Sequence, residues 1–410
     1  MSLEAIKFDK SDIKLSILDQ LLIPYQTKYV DVKSIGDGYD VIKKMQVRGA
    51  PAIAIVGCFS VVVELYRIIE LGELTSLRYN IQDLEELKER LTQRLDFLIS
   101  SRPTAVNLLN GCNEIKELMV KASSVRELYN SIKEFSVKLF EDDLVNNKRI
   151  GDNGCDYIFN ELSKENFKGE FSVLTICNTG SLATSGHGTA LGIVRSLWAR
   201  SKLSGAESSE SWLSHVYACE TRPYNQGSRL TAYELDYEKI PFSLITDNMV
   251  SFLVDSLVNE RKDRGLPSLA PIKFIIVGAD RIVKNGDLAN KIGTFQLSLI
   301  ASQYPSIKFI GAAPWTTIDL NKDSGDEIVI EQRPANELTS VMGGELDETG
   351  TVLQKDASSK IKLTKVKLAP MDISVWNPAF DVTPHKFIDS IVTEESYLTK
   401  DSQGSFTLAR

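Results

Sequence analysis

The sequence predicts an α/β protein in which a smaller, mainly helical N-terminal domain precedes a Rossmann-like, doubly wound, mainly parallel sheet domain. Three observations predict it. The chain has 410 residues, and single cores stop growing at about 250 to 300 residues, so two domains are expected. The stretch 1–150 is poor in strand patterns and carries helical spacing. From 151 to 410, short apolar runs alternate with helical segments.

In the first domain, Val125, Leu128, Ile132, Phe135 and Leu139 recur at steps of three and four, the stripe of a helix that buries one face. In the second, Phe171 to Cys177, His215 to Cys219, Phe242 to Thr246 and Phe274 to Gly278 are apolar runs without alternation. Helical segments are expected after them, at Gly188 to Arg200, Leu230 to Leu235, Asn248 to Asn259 and Asn290 to Ser302. Strands that are apolar on both sides need helices on both faces, which is the doubly wound arrangement. Two stretches, Lys202 to Ser211 and Gly343 to Lys362, have the Gly, Ser, Asp, Glu and Lys content of solvated insertions.

Composition narrows the class. A hydrophobic share of 43% and a charged share of 25% are those of a folded globular chain. The net charge of -8 argues against a nucleic-acid partner, because phosphate backbones are met by clustered Lys and Arg. No stretch is expected to span a membrane, the criterion being about 18 uncharged apolar residues, and the N-terminus lacks an apolar leader behind a basic start. The expected location is therefore the cytoplasm, with the nucleus as a further one. Five cysteines without a C-x-x-C pair fit neither a disulfide framework nor a zinc knuckle, and the three histidines show no metal spacing. Structural zinc is therefore not expected, while these counts leave carboxylate-bound magnesium open.

Ligands of doubly wound sheets bind beyond the carboxyl ends of the strands, so the residues that leave each apolar run are the candidates. Those exits are Cys177-Asn-Thr-Gly, Glu220-Thr-Arg-Pro, Asp247-Asn and Gly278-Ala-Asp-Arg. Cys177 fits either an activated thiol near a helix N-terminus or an inert small hydrophobe. Asp280 follows two small residues that allow close backbone approach, and a partly desolvated carboxylate there would serve as a general acid. The bland readings are an ion pair with Arg281 or a helix cap. Asp247 reads as a capping or orienting residue, His187 as a loop or capping histidine, and Cys58, Cys112 and Cys219 as core.

Arg48 in Val-Arg-Gly-Ala-Pro-Ala and Arg102 in Ser-Arg-Pro-Thr-Ala-Val-Asn lie beside Gly or Pro loops, where a guanidinium and backbone N–H groups can share a phosphate. Lys291 in Ala-Asn-Lys-Ile-Gly-Thr is a third candidate cation, and each of the three taken alone reads more simply as a solvated surface charge. The glycines of Gly186-His-Gly-Thr-Ala-Leu-Gly do not make a dinucleotide fingerprint, since Gly186 comes well after the strand and no acidic residue closes a next strand at the required distance.

Taken in order, Arg48-Gly-Ala-Pro-Ala, Arg102-Pro-Thr-Ala-Val-Asn-Leu, Cys177-Asn-Thr-Gly, Glu220-Thr-Arg-Pro-Tyr-Asn-Gln-Gly-Ser-Arg-Leu-Thr-Ala, Ile245-Thr-Asp-Asn-Met, Gly278-Ala-Asp-Arg-Ile, Asn285-Gly-Asp-Leu-Ala-Asn-Lys-Ile-Gly-Thr and Asn377-Pro-Ala-Phe-Asp-Val-Thr-Pro closely resemble the methylthioribose-1-phosphate isomerases. The resemblance implies conversion of 5-methylthioribose 1-phosphate to 5-methylthioribulose 1-phosphate in methionine salvage, on a fold shared with regulatory subunits of a translation-initiation exchange factor. It implies Asp280 as proton donor, Cys177 as an aid to hydrogen transfer, and Arg48, Gly49, Ala50, Arg102, Gln226, Asn290 and Lys291 as substrate contacts. A homodimer, no metal and no cofactor are likewise implied. Ser181 stands where the family commonly has alanine, and the two polar insertions depart from the pattern. Two other readings share the fold: an isomerase of ribose 1,5-bisphosphate, and a non-enzymatic regulatory subunit.

Overall fold

The computed structural model describes residues 3–73, 83–103, 106–204, 210–353 and 361–408. The chain forms two compact units, one of Met1–Leu21, Lys28–Lys148 and Thr179–Gly188, the other of Leu22–Thr27, Arg149–Asn178 and Thr189–Arg410. The segment Thr179–Gly188, expected with the sheet, clusters instead with the N-terminal residues.

The first unit opens with a small antiparallel sheet, β1 (Ile6–Asp9), β2 (Lys14–Leu18) and β3 (Tyr29–Val32), which the sequence reading did not single out. Helices α1 (Ile35–Lys43), α2 (Ala50–Ile69), α3 (Leu84–Ile99) and α4 (Val106–Lys121) follow. At its centre is α2, buried on nearly every side. By length and composition α2 would cross a membrane, contrary to the sequence expectation, yet 83% of its apolar window lies inside the protein. A helix apolar all round is here a core helix. Leu87, Leu91, Leu95 and Leu98 of α3 are fully buried, and Gly57 of α2 leaves the space that Leu108 of α4 fills.

Helix α5 (Val125–Lys164) runs through the boundary between the units. Leu128 and Ile132 of its predicted stripe are fully buried. The second unit then builds a sheet from β4 (Gly169–Thr175), β5 (Ser211–Cys219), β6 (Phe242–Ile245), β7 (Ile272–Gly278), β10 (Lys308–Ala312), β15 (Ser390–Val392) and β16 (Tyr397–Thr399). Its order is β16-β15-β10-β7-β4-β5-β6, parallel throughout except for the edge strand β16. Alternate side chains of each strand enter two cores. Phe171, Val173, Phe274 and Ile276 pack with Ile158 of α5 and Val194 of α6 (Ala190–Ser204), whereas Leu174, Ile176, Ile275 and Val277 pack with Val254 of α8 (Val250–Val258) and Leu297 of α9 (Thr294–Ser302).

Between these strands lie α7 (Ala232–Tyr237), the hairpin β8 (Arg281–Val283) and β9 (Leu288–Lys291), β11 (Ile318–Asp319), α10 (Ala335–Thr339), β12 (Ser340–Gly344), β13 (Leu363–Lys367) and β14 (Phe380–Thr383). The helix expected from Asn290 begins only at Thr294; Asn290 and Lys291 end a strand. An Asn285-Gly286 turn with Gly286 at φ 90° sends the chain back as a hairpin. Of the two expected insertions, Lys202 still belongs to α6 and Ser211 opens β5, while 205–209 lie outside the described residues. In the second, Ser340–Gly344 pairs with Leu363–Lys367 and Leu346 bridges Val352, so a wet hairpin stands where its polar composition suggested loop; 354–360 lie outside the described residues.

A buried ion network ties α6 to α7. Arg195 Nη2 donates to Glu234 Oε2 at 2.6 Å, and its Nε to Glu238 Oε2 at 2.7 Å, with Glu234 wholly buried. Removing one partner strands a buried charge. Glu234→Ala is expected to lower stability by about 3 kcal/mol, read from the urea midpoint; an unchanged midpoint would contradict this account of the network.

Candidate active site

Strand order decides where the second unit offers a site. The chain runs outward from β4 through β5 to β6, then returns to place β7 on the other side of β4, with Leu174 beside Ile275. That reversal is a topological switch point, where the loops from two neighbouring parallel strands part and leave a crevice. Cys177 lies two residues beyond the end of β4, and Asp280 two residues beyond the end of β7. Both leave the same edge of adjacent strands, which stand about 4.8 Å apart.

Cys177 is buried and adopts φ 71°, the left-handed region that a residue with Cβ rarely occupies. Two threonines hold it there. The Cys177 N–H donates to Thr221 Oγ1 at 2.9 Å, and Thr231 Oγ1 donates to the Cys177 carbonyl at 2.5 Å. Thr221 is itself left-handed at φ 64°, and its N–H and that of Arg222 donate to the Asp247 carboxylate at 2.8 and 2.7 Å. Asp247 thus orients the Glu220 to Ala232 segment and does not cap α8, whose first turn follows Met249. Burial pushes the Asp247 carboxyl up, against the backbone bonds that lower it; burial first, then the nearby Asp247, raises Glu220. Gly227 carries the segment past β5 at such close range that a Cβ would stand 1.6 Å from the Cys219 carbonyl oxygen. Only glycine fits.

Gln226 sits at the start of the π-helical turn Gly227–Thr231, and its Oε1 is buried without a hydrogen bond among the described residues. Tyr224, two residues earlier, lays its ring 5.3 Å from the Lys291 ammonium. Arg333 Nε donates to the Tyr224 hydroxyl at 2.6 Å, and that hydroxyl also donates to Glu337.

Beyond Asp280 the chain forms the β8–β9 hairpin. The Asp280 N–H donates to the Ala289 carbonyl at 2.9 Å, which sets Asp280 beside the start of Asn290-Lys291. Arg281 pairs with Asp319 at 3.3 Å. Asp280 is exposed, which corrects the expected partial desolvation: it lies at a strand exit beyond the buried run Ile272–Gly278. Asn290 and Lys291, in contrast, are 2% and 5% exposed. Asn290 Nδ2 donates to Thr294 Oγ1 at 3.0 Å, and the Lys291 ammonium stands 4.4 Å from the Phe380 ring centroid.

In the first unit, Arg48, Gly49 and Ala50 lead into α2. Gly49 is its N-cap residue at φ 90°, without a side-chain cap, and proline follows in the first turn. Helix N-termini of this kind present N–H groups to anions. A Cβ on Gly49 would stand 2.2 Å from the Ala183 carbonyl oxygen, so the Thr179–Gly188 loop rests directly on this turn. The loop is held also by Gln20 Nε2 donating to the Leu182 carbonyl at 2.6 Å, and by Ser185 Oγ donating to Asp143 at 2.6 Å. No α-helix starts directly after Cys177; a single turn, Ser181–Ala183, precedes α6. Arg102 follows α3, its N–H donating to the Ile99 carbonyl at 3.2 Å; Thr104 and Ala105 of its motif lie outside the described residues.

Residues 46–400 match the model of the Initiation factor 2 subunit family. Over 415 aligned residues the chain is 63% identical to a methylthioribose-1-phosphate isomerase of Komagataella phaffii, with all of both chains covered. The chain belongs to the methylthioribose-1-phosphate isomerase family of enzymes. A second relative of that name, from Candida dubliniensis, is 53% identical over 436 residues, covering 100% of this chain and 99% of the relative. Among solved structures, 5-methylthioribose 1-phosphate isomerase from Pyrococcus horikoshii superposes with a TM-score of 0.72 at 30% identity, covering 97% of this chain and 92% of that one. Translation initiation factor eIF-2B, subunit delta, from A. fulgidus gives 0.71 at 32% identity, with 98% of each covered. The fold is therefore common to both kinds of protein.

Within this family member the structure brings Cys177, Gln226, Asp280, Asn290 and Lys291 onto one set of elements in the second unit, and Arg48, Gly49, Ala50 and Arg102 onto the first. The other cysteines are core groups: burial pushes Cys112 and Cys155 up to about 12, and raises Cys58 and Cys219 as well. Among the described residues, no group of three or more His, Cys, Asp or Glu is arranged to hold a metal ion. Sequence reasoning missed Thr221, Tyr224, Thr231 and Asp381. All four stand inside motifs it quoted, but their roles depend on which neighbour the fold gives them.

Asp381 of β14 carries a testable signature. Burial pushes its carboxyl from 3.8 up to about 6, against backbone bonds from Gly293 and Phe295 and the charge of Lys291, which lower it. A folded pKa above the unfolded one means the folded chain holds this proton more tightly. The stability it contributes is full below about 3.8 and is lost as pH rises through about 6. Wild type should therefore gain thermal stability relative to Asp381→Asn when pH falls from about 8 to about 5; a flat or reversed difference in melting temperature contradicts the assignment.

Proposed function

We propose that this chain isomerises 5-methylthioribose 1-phosphate to 5-methylthioribulose 1-phosphate in methionine salvage, with Asp280 as proton donor and Cys177 assisting hydrogen transfer. The observation that carries the reading is the pairing of a thiol and a carboxylic acid at the exits of adjacent strands β4 and β7, in a chain 63% identical to a relative of that name. The reading takes the sheet as Rossmann-like and doubly wound, with its ligand at the switch point.

The chemistry explains why such a pair is needed. The anomeric oxygen of the sugar is blocked by phosphate, so the ring cannot open to a free aldehyde, and the ring oxygen itself must be protonated as its bond to C1 breaks. Protonated Asp280 supplies that proton. Hydrogen then passes from C2 to C1, and the C2 hydroxyl gives up its proton to leave the ketone and restore the acid. Cys177 either removes the C2 proton and returns it to C1 through an enediol-type species, or favours a direct hydride shift by polarising the site. Exposed Asp280 acquires its dry surroundings when the sugar covers it. Gln226, Asn290 and Lys291, with Arg48, Gly49, Ala50 and Arg102 of the first unit, are the substrate contacts, the arginines taking the phosphate.

No metal or cofactor enters this scheme. The active form is a homodimer, which sedimentation velocity tests, and its location is cytoplasmic and nuclear. Aldose-ketose isomerisation in chelator-treated enzyme is the direct assay, with ribose 1,5-bisphosphate as the competing sugar. Turnover of the bisphosphate alone would replace the substrate, and stable capture by a larger assembly without turnover of either would favour the regulatory-subunit reading.

Asp280→Asn and Cys177→Ser are each expected to lower kcat by about 10² or more with little change in melting temperature. Near-normal turnover in either variant removes that residue from the scheme. In deuterated solvent, label at C1 of the product favours the proton route, and complete retention of the C2 hydrogen excludes exchange with solvent during the transfer.

A further inference from the structure

We infer that Asp381 is a positioning residue for this reaction, holding the Lys291–Phe295 turn so that Asn290 and Lys291 face the substrate. The inference rests on the function proposed above, and it adds a residue to which neither the sequence nor the family pattern gave a role.

Asp381 reaches the turn from the neighbouring strand. In the β9–β14 register Asp381 stands opposite Asn290, and Phe380 opposite Lys291. From there its Oδ2 accepts the Gly293 N–H at 2.7 Å, and its Oδ1 accepts the Phe295 N–H at 3.1 Å. Those are donors at the N-terminus of α9, whose N-cap residue, Gly293 at φ 103°, has no side chain to offer them. Such N–H groups are left without helical partners and bind a carboxylate well. The strand before Asp381 adds a third tie, the Ile292 N–H to the Ala379 carbonyl at 3.1 Å. On the other side, Thr294 Oγ1 accepts from Asn290 and donates to the Lys291 carbonyl at 2.6 Å.

The turn is thus fastened at Gly293 and Phe295 from β14 and at Ile292 from Ala379 just before it, and it carries the two polar side chains of β9 with it. The same strand supplies the Phe380 ring beside the Lys291 ammonium, with Tyr224 as the second aromatic neighbour. The carboxylate of Asp381 also acts on Lys291 through charge. A buried ammonium keeps its place and its proton more readily with a carboxylate nearby. Asp381 touches no reacting atom in this scheme; it acts through Asn290 and Lys291.

The test is steady-state kinetics of Asp381→Asn, with Lys291→Met as partner in a double-mutant cycle. Asp381→Asn should lower kcat/KM on methylthioribose 1-phosphate at least tenfold, mainly through KM, and should have little further effect in the Lys291→Met background. A role confined to stability would lower the melting temperature and leave both kinetic constants of the folded enzyme unmoved. Unchanged kcat/KM, or full multiplication of the two effects, overturns the inference. Hydrogen exchange of Asp381→Ala supplies an arm that needs no substrate: the Gly293 and Phe295 amides should lose protection while the β7 amides keep theirs. Unchanged protection overturns the inference even if wild type proves inactive on this sugar, an outcome that would instead overturn the proposed function.

Discussion

The second unit's site hangs on the clamp that two threonine hydroxyls place on the backbone of Cys177. A residue with a side chain at φ 71° is strained, and it stays there because its surroundings over-determine it. Thr221 accepts its N–H, Thr231 fills its carbonyl, and Asp247 in turn holds the backbone that presents Thr221. The chain of dependence runs from β6 through the exit of β5 to the exit of β4, so one cysteine's direction is fixed by three strands. Gly227 makes it possible, since a larger residue would drive the Thr231 turn away from β5.

On the other side of the switch point the logic is similar but the means differ. There the chain leaves β7 and immediately folds back as a hairpin, so that Asp280, Asn290 and Lys291 come from a few residues of local structure, braced from behind by β14. The polar groups are buried on one strand end and exposed on the other. Under the proposed function, the Asn290 amide and the Lys291 ammonium are preset while Asp280 meets the sugar at the surface.

Much of this was legible in the sequence, for physical reasons that can be named. Strands such as Phe274 to Gly278 are apolar at every position because helices cover both faces, so the mainly parallel sheet could be read directly. That Cys177 and Asp280 stand at strand exits could be read because each follows a continuous apolar run. The helix expected from Asn290 starts only at Thr294, because Asn290 and Lys291 end the hairpin that turns at Asn285-Gly286, a strong turn signal followed by apolar residues that also fit helical spacing. The strands β1 to β3 escaped because only a few alternating residues, such as Leu15 and Ile17, mark them. Asp381 was invisible for a deeper reason: its partners, Gly293 and Phe295, lie far away in sequence, and only the β9–β14 register brings them within reach.

The proposed reaction requires a single sugar to lie between the exits of β4 and β7, an arrangement that sequence patterns cannot supply. A crystal structure of the Asp280→Asn protein soaked with methylthioribose 1-phosphate tests it most directly. The account requires the ring oxygen of the sugar beside the side chain at position 280, and its C1–C2 bond facing the Cys177 sulfur. A sugar bound elsewhere on the sheet, or one touching only one of the two, would contradict it.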